Sequence, residues 1–345
     1  MTVTGYSYIT LLCLDKFNGE RSVSAVYHLL RGKKTSQTLQ DMNLFGVSSF
    51  FSLFPHVSRE TIDTASRYLE DHQWIRRDCT LTERGKAILK DAALRMPVPA
   101  GLNGWKYGSE ARSAWSRLSL LVQTVTHLVT SSSRFMPVTS DEDTQQWVKG
   151  MLSKLRMSKQ DLSRQLYREL DQFLSAYGDS GAELFVYRLT SPERAGLTYV
   201  QLGEKRGMDP VYTELCFWSI VHSLLNELEP SRYPLLSGLS VRESGSLPLT
   251  LTAEKTRRLL KQGLDKETAG RVRNLKGSTI EDHIVEIATH DPEFDFKPYI
   301  SEQDQAEIAH AIREIDSRQL KKIKEHFGSK YSYFQIRLCM ASVKE

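Results

Sequence analysis

The residues best placed to do chemistry in this chain are cations. Arg273 and Lys276 flank a short corner in the stretch Thr268–Ala288, TAGRVRNLKGSTIEDHIVEIA. Ser278 and Thr279 follow it at the start of a helical pattern, where backbone N–H groups favour an anion such as phosphate. Arg31, Lys33 and Lys34 form a second group, and Lys321, Lys322 and Lys324 a third. Such side chains neutralise phosphates without base-specific geometry, so the chemistry they offer is binding. Catalytic arrangements are missing. No GxxxxGK[ST] loop occurs, so nucleotide held in the Walker manner is not expected, and HExxH, GxSxG and Cys/His metal spacings are also absent. Asp141-Glu142-Asp143 and Glu293-Phe294-Asp295 collect carboxylates, but runs of this kind usually cap helices or face water. His283 lies beside an apolar stripe and reads as a packed or capping residue. The expectation is a chain with no catalytic residue, no cofactor and no metal.

The elements that must position the central cations form a helix, a tight corner and a second helix. Gly270 sits where the two helices press together, and a larger side chain there would push them apart. Asn274 tolerates the left-handed backbone that the corner requires. Leu275 plugs the corner. Ser278 is expected to cap the second helix, with Glu281 completing a capping box. Ile280, Ile284 and Ile287 recur at helical spacing as one buried stripe. These offsets match a helix-turn-helix, whose second helix can enter a DNA major groove. Glu281, Asp282 and Glu286 are expected on the outer face of that helix, where carboxylates repel phosphates. The same face could instead dock protein.

A chain of 345 residues, 40% apolar, is long enough for two or three compact units. The formal charge of +4 is spread thinly: residues 1–95 carry 13 Lys/Arg against 10 Asp/Glu, 96–250 carry 16 against 16, and 251–345 carry 17 against 16. Any nucleic-acid contact must therefore come from local patches, with modest and salt-sensitive affinity. Cys13, Cys79, Cys216 and Cys339 lie far apart and support neither zinc nor disulfides. Ile9–Leu14 is too short to span a bilayer and lacks secretory flanks. A bacterial cytosolic or nucleoid protein, with no membrane association, is expected.

Tyr6–Asn18 reads as a short packing helix. Val23, Val26, Tyr27 and Leu30 give an amphipathic helix ended by Gly32, and Thr35 or Ser36 can cap the next, which runs through Leu39 and Met42. Ser58 begins a third, with Ile62, Ala65 and Leu69 on its inner face. Trp74–Arg76 and Cys79–Leu81 read as two short strands with Arg77-Asp78 at the tip, and Thr82 caps a closing helix. The expected fold class is mainly α: an N-terminal winged helix with a small β-hairpin (1–96), a central helical region (105–235) and a C-terminal helix-turn-helix domain (249–345). Pro97–Gly104 marks the first boundary. Helices are expected near Ala111–Leu128, Thr144–Leu155, Asp161–Tyr177, Ala182–Leu189 and Pro210–Glu227. Gly207 stands at the turn of either a further helix-turn-helix or a plain helical hairpin. Pro230, Pro234 and Pro248, with Gly238 and Gly245, are expected to form a flexible link.

The run TAEKTRRLLKQGLDKETAGRVRNLKGSTIEDHI, with EIAHAIREI, QLKKIKEHFG and SYFQIRLCMA, resembles the helix-turn-helix domain at the C-terminus of many RecQ-type helicases and of YpbB-type proteins of Gram-positive bacteria. That resemblance covers Leu249 to Val343. The segments SAVYHLLRGKKTSQTLQDMNLFG, SRETIDTASRYLEDHQWI and LTERGKAIL resemble the RQC winged-helix domain of RecQ helicases, which contacts duplex DNA near the fork. The RQC likeness makes Arg31, Lys33, Lys34, Arg59, Arg76 and Arg77 candidate phosphate contacts. At the other end the candidates are Arg273, Lys276, Ser278, Thr279, Lys321 and Lys322. The short hairpin has no aromatic at its tip, so strand splitting is not expected of it. Together the two likenesses imply a non-catalytic factor that binds duplex or forked DNA and serves a RecQ-type helicase in DNA repair and recombination. The alternatives are a sequence-specific transcription regulator, which requires a dimer and palindromic sites, and a protein adaptor without DNA binding.

Overall fold

In a computed structural model, residues 3–130, 134–240, 247–315 and 317–342 are described; Gly245 and Val343 lie outside them. Five helices form first: α1 (Gly5–Phe17), α2 (Val23–Arg31), α3 (Ser36–Leu44), α4 (Arg59–Asp71) and α5 (Glu83–Arg95). Their starts are set locally. Thr35 accepts from the amide of Thr38 at 3.3 Å, Ser58 from that of Thr61 at 3.0 Å, and Thr82 from that of Gly85 at 3.0 Å. Gly32 ends α2 with φ of 72°, a left-handed conformation that costs glycine little. α1 is apolar on several faces, so it becomes the buried axis: Tyr8, Ile9, Leu11, Cys13, Leu14 and Phe17 are all sealed from water. α2, α4 and α5 pack around it.

The β-hairpin expected at Trp74–Leu81 does not form as strands. A single antiparallel bridge joins Ile75 to Leu81, and no strand occurs among the described residues. The arms are too short for a ladder, and Gln73 (φ 58°) and Cys79 (φ 64°) curl the chain. The Thr82 hydroxyl also donates to Gln73 O at 2.8 Å, turning the backbone straight into α5. Gly85 sits flush against the turn, where a Cβ would lie 2.0 Å from Trp74 O. The N-terminal winged helix with a hairpin is thus replaced by an all-helical unit.

The central segment follows as α6 (Gly104–Tyr107), α7 (Glu110–Val129), α8 (Glu142–Lys154), α9 (Lys159–Leu174), α10 (Gly178–Val186), α11 (Tyr199–Arg206) and α12 (Pro210–Glu227). α11 and α12 pair across Gly207, and Leu215, Phe217, Ile220 and Leu224 of α12 lie in the core. One apolar cluster runs from Val3 to Leu239. The proline-bearing stretch does not run free, because Tyr233, Leu235, Leu236 and Leu239 are buried in that cluster. The acidic runs act locally: Asp141 caps α8 through the Thr144 amide at 2.9 Å, and Asp295 accepts from the Lys297 amide at 3.0 Å. Among the described residues no group of three His, Cys, Asp or Glu could hold a metal, and no helix is long and apolar enough to cross a membrane.

His222 on α12 gives this core a pH dependence. Its Nδ1 accepts from the Asn103 amide at 3.1 Å. Burial, and then the charge of Arg112, push its pKa down to about 3. The unfolded chain takes up a proton below about pH 6.5 that the folded chain refuses. Stability therefore falls with pH through that window by about 1.4 kcal/mol per unit, or about 2 kcal/mol between pH 7 and 5. In urea titrations, His222→Asn, whose Oδ1 can take the same hydrogen bond, is expected to flatten this dependence. An unaltered slope in that variant rejects the assignment.

The C-terminal segment holds α13 (Leu251–Lys261), α14 (Lys266–Arg273), α15 (Gly277–His290), α16 (Glu302–Ile315), α17 (Leu320–Phe327) and α18 (Tyr333–Ser342). Ile280, Ile284, Val285, Ile308, Ile336 and Leu338 centre a second apolar cluster. The α14–α15 corner turns at Asn274 with φ of 51°. A Cβ on Gly270 would meet Ile280 and the Leu275 carbonyl oxygen at 3.5 Å, an ordinary contact, so the close approach expected to require glycine here is not found.

Candidate nucleic-acid interface

The N-terminal cations converge on Tyr27. Arg31, the last residue of α2, donates through Nη1 to Tyr27 OH at 2.9 Å and through Nε to Pro55 O at 3.1 Å. Arg59 opens α4 and donates through Nη1 to Ser24 Oγ at 2.5 Å, while its Nε pairs with Asp63 at 2.8 Å. Their guanidinium carbons lie 5.7 and 5.5 Å from the centre of the Tyr27 ring. Lys33 and Lys34 continue the patch, and both are exposed. None of Arg31, Lys33 and Lys34 forms an ion pair among the described residues. Partial burial, and then the charges of Lys33 and Arg59, lower the pKa of the neighbouring His28.

Arg76 and Arg77 lie apart, on the turn before α5. Arg76 donates to Thr80 Oγ1 at 3.2 Å and to Leu81 O at 3.1 Å, and Arg77 is exposed. Lys321 and Lys322 open α17 on the surface, where Lys321 pairs with Glu325 at 3.8 Å.

Around the C-terminal corner, Lys276 is the residue before α15, and no side chain caps that helix. Ser278 is exposed on its first turn and takes no capping role, because the helix already starts at Gly277. Glu281 pairs with Lys266 at 3.1 Å and does not reach back to close a box. Arg273 is turned inward: Nη1 donates to Thr252 O at 2.6 Å and to Thr256 Oγ1 at 2.5 Å. The Thr256 hydroxyl lies 2.8 Å from His283 Nδ1 and 3.5 Å from Thr252 O. Burial, then the charge of Arg273, lower the His283 pKa, against an opposing pull from Asp282.

α15 itself is enclosed. From Ile280 to His290 every residue is buried or half-buried. Of the three carboxylates expected to project outward, Glu286 is buried, and Glu281 and Asp282 are half-exposed and paired. Asp282 pairs with Arg337 of α18 at 2.6 Å, and Glu286 accepts from the Thr250 amide at 2.5 Å and its hydroxyl at 3.0 Å. α13, α18 and α3 cover the helix. Between α3 and α15 a cleft of about 370 Å³ remains, with Lys34, Ser36 and Gln40 on one wall and Thr279, Asp282 and Glu286 on the other.

Two groupings thus join residues distant in sequence: Arg31 with Arg59 on Tyr27, and Lys34 with Thr279 across the cleft. Tyr27 escaped the sequence reading because it was assigned to the inner face of its helix, although its spacing of four from Arg31 was a usable signal. Arg337 carried no local signal. Its partners lie 55 and about 300 positions away in the chain.

A family model described as "Helix-turn-helix domain" matches residues 252–340. The chain is also similar to Protein YpbB of Bacillus subtilis (strain 168), with 36% identity over 345 residues, 99% of this chain and 98% of that protein. No solved structure matches. A helix-turn-helix domain suggests DNA binding, and neither comparison names a catalytic activity.

Proposed function

The chain belongs to the YpbB family, and from that premise we propose that it is a non-catalytic DNA-binding accessory factor of a RecQ-type helicase, acting in the cytosol in repair or recombination. It supplies an all-helical N-terminal unit and a helix-turn-helix domain as a separate chain, for a motor that lacks such DNA-binding modules. The observation that carries this reading is the patch around Tyr27, where the guanidiniums of Arg31 and Arg59 both lie against the ring and the exposed Lys33 and Lys34 extend the charge. Guanidiniums already fixed on an aromatic ring lose little freedom on engaging a backbone, and they read no sequence. Joining several weak sites in one chain raises effective concentration, so modest local affinities suffice. A sequence-reading regulator is less well supported, since it needs a free recognition helix and α15 is buried or half-buried from Ile280 onward, with only its first turn exposed.

The test mixes the full chain with a short RecQ-type helicase on forked DNA. A complex should form, and unwinding should rise about tenfold if the chain supplies missing fork affinity worth about 1.4 kcal/mol. With no complex, and no change in unwinding or DNA retention, the accessory role is lost.

A further inference from the structure

We propose that the acidic face of α15 is an internal stand-in for nucleic acid, masking a second DNA-contacting face on α3. This rests on the DNA-binding reading above and adds its regulation. α3 presents Ser36 and Gln40 one helical turn apart toward the cleft, with Lys33 and Lys34 just before Thr35 at its start. Amide and hydroxyl side chains behind two lysines suit base edges and phosphates together. What faces them is anionic: Asp282 and Glu286, one helical turn apart on α15, across the cleft from Lys34, Ser36 and Gln40. Lys34 also acts on Glu286 directly, since its charge favours the carboxylate against the burial that disfavours it.

Arg337 closes this interface. Its Nη2 donates to Ser36 Oγ at 2.6 Å, its Nε to Gln40 Oε1 at 3.0 Å and its Nη1 to Asp282 Oδ1 at 2.6 Å. One guanidinium therefore occupies the polar groups of α3 and ties them to the acid of α15. A second contact closes the far end, where the Glu20 carboxylate accepts from Ser317 Oγ at 2.8 Å and from the Arg318 amide at 2.9 Å. The Arg318 guanidinium bonds to Leu44 O and lies 5.7 Å from the Phe45 ring. The clasp is built from charges and hydrogen bonds, which a polyanion can exchange for its own.

The test uses the full chain, with binding to a random DNA duplex followed by anisotropy and docking followed by hydrogen exchange at the Arg318 amide. In Arg337→Ala, exchange at Arg318 should rise and the duplex should bind about tenfold tighter. Adding Ser36→Ala and Gln40→Ala should remove that gain. If the wild type binds DNA but the opened variant binds no better, or keeps its gain without Ser36 and Gln40, the masking is wrong while DNA binding stands. If neither chain binds, both readings fail. Unchanged Arg318 exchange in Arg337→Ala rejects the clasp. Should that variant not fold, the wild type decides: DNA should speed exchange at Arg318, and constant exchange overturns the proposal.

Discussion

Exchanging Arg31 and Arg59 together for glutamate is expected to weaken duplex binding by the full chain about a hundredfold. Two phosphate contacts disappear and two carboxylates take their place, so loss of attraction is joined by repulsion. The salt dependence carries a separate signature. Each phosphate neutralised contributes about 0.9 to the slope of log K against log salt, so the slope should fall by about 2. The fold should survive, because Arg59 and Arg31 hold surface positions and the residues beneath them, Val26, Leu29, Leu30 and Ile62, are untouched. A dissociation constant within about threefold of wild type, in a variant with intact helical dichroism, would remove the Tyr27 patch from the interface.

The largest effect on stability is expected at Glu169. This α9 carboxylate belongs to a residue only 2% exposed. It accepts from the amide of Leu235 at 3.0 and 3.1 Å, from that of Leu236 at 2.9 Å and from Gln165 Nε2 at 2.8 Å. Replacing it with alanine leaves two backbone N–H groups buried without partners and opens a void. The expected loss is about 4 kcal/mol, read from the urea midpoint at constant m-value. Glu169→Gln keeps one acceptor oxygen and should lose about half as much. A loss below about 1 kcal/mol for alanine would mean that water or another group satisfies those amides.

Glu169 also explains a misreading. Prolines, glycines and serines between 230 and 248 have the composition of a linker, and locally nothing contradicts it. The segment is nevertheless packed as far as Leu239, because a carboxylate 66 positions upstream receives its amides and the core of α7 and α9 receives its leucines. The β-hairpin fails for a related reason. Alternation over three residues is compatible with a strand, but a strand needs a ladder, and only one bridge is available.

The sequence by itself determined most of the helices and several of their ends, although not the cap expected at Ser278. Thr35, Ser58 and Thr82 cap as their positions require, Gly32 and Asn274 turn left-handed, and Ile280, Ile284 and Ile287 are buried as a stripe. Caps, turns and periodicity act within about four residues, so they can be read from neighbours alone. Only the tertiary structure decided which way the charges of α15 face and which cations gather. Asp282 meets Arg337, Glu286 meets Thr250, and Arg59 joins Arg31 on the Tyr27 ring through contacts between separate elements. A carboxylate on a helix has the same local signature whether water, a guanidinium or an amide lies opposite it. Its partner is chosen by packing of helices far apart in the chain, and here that choice covers α15 and leaves the Tyr27 patch open.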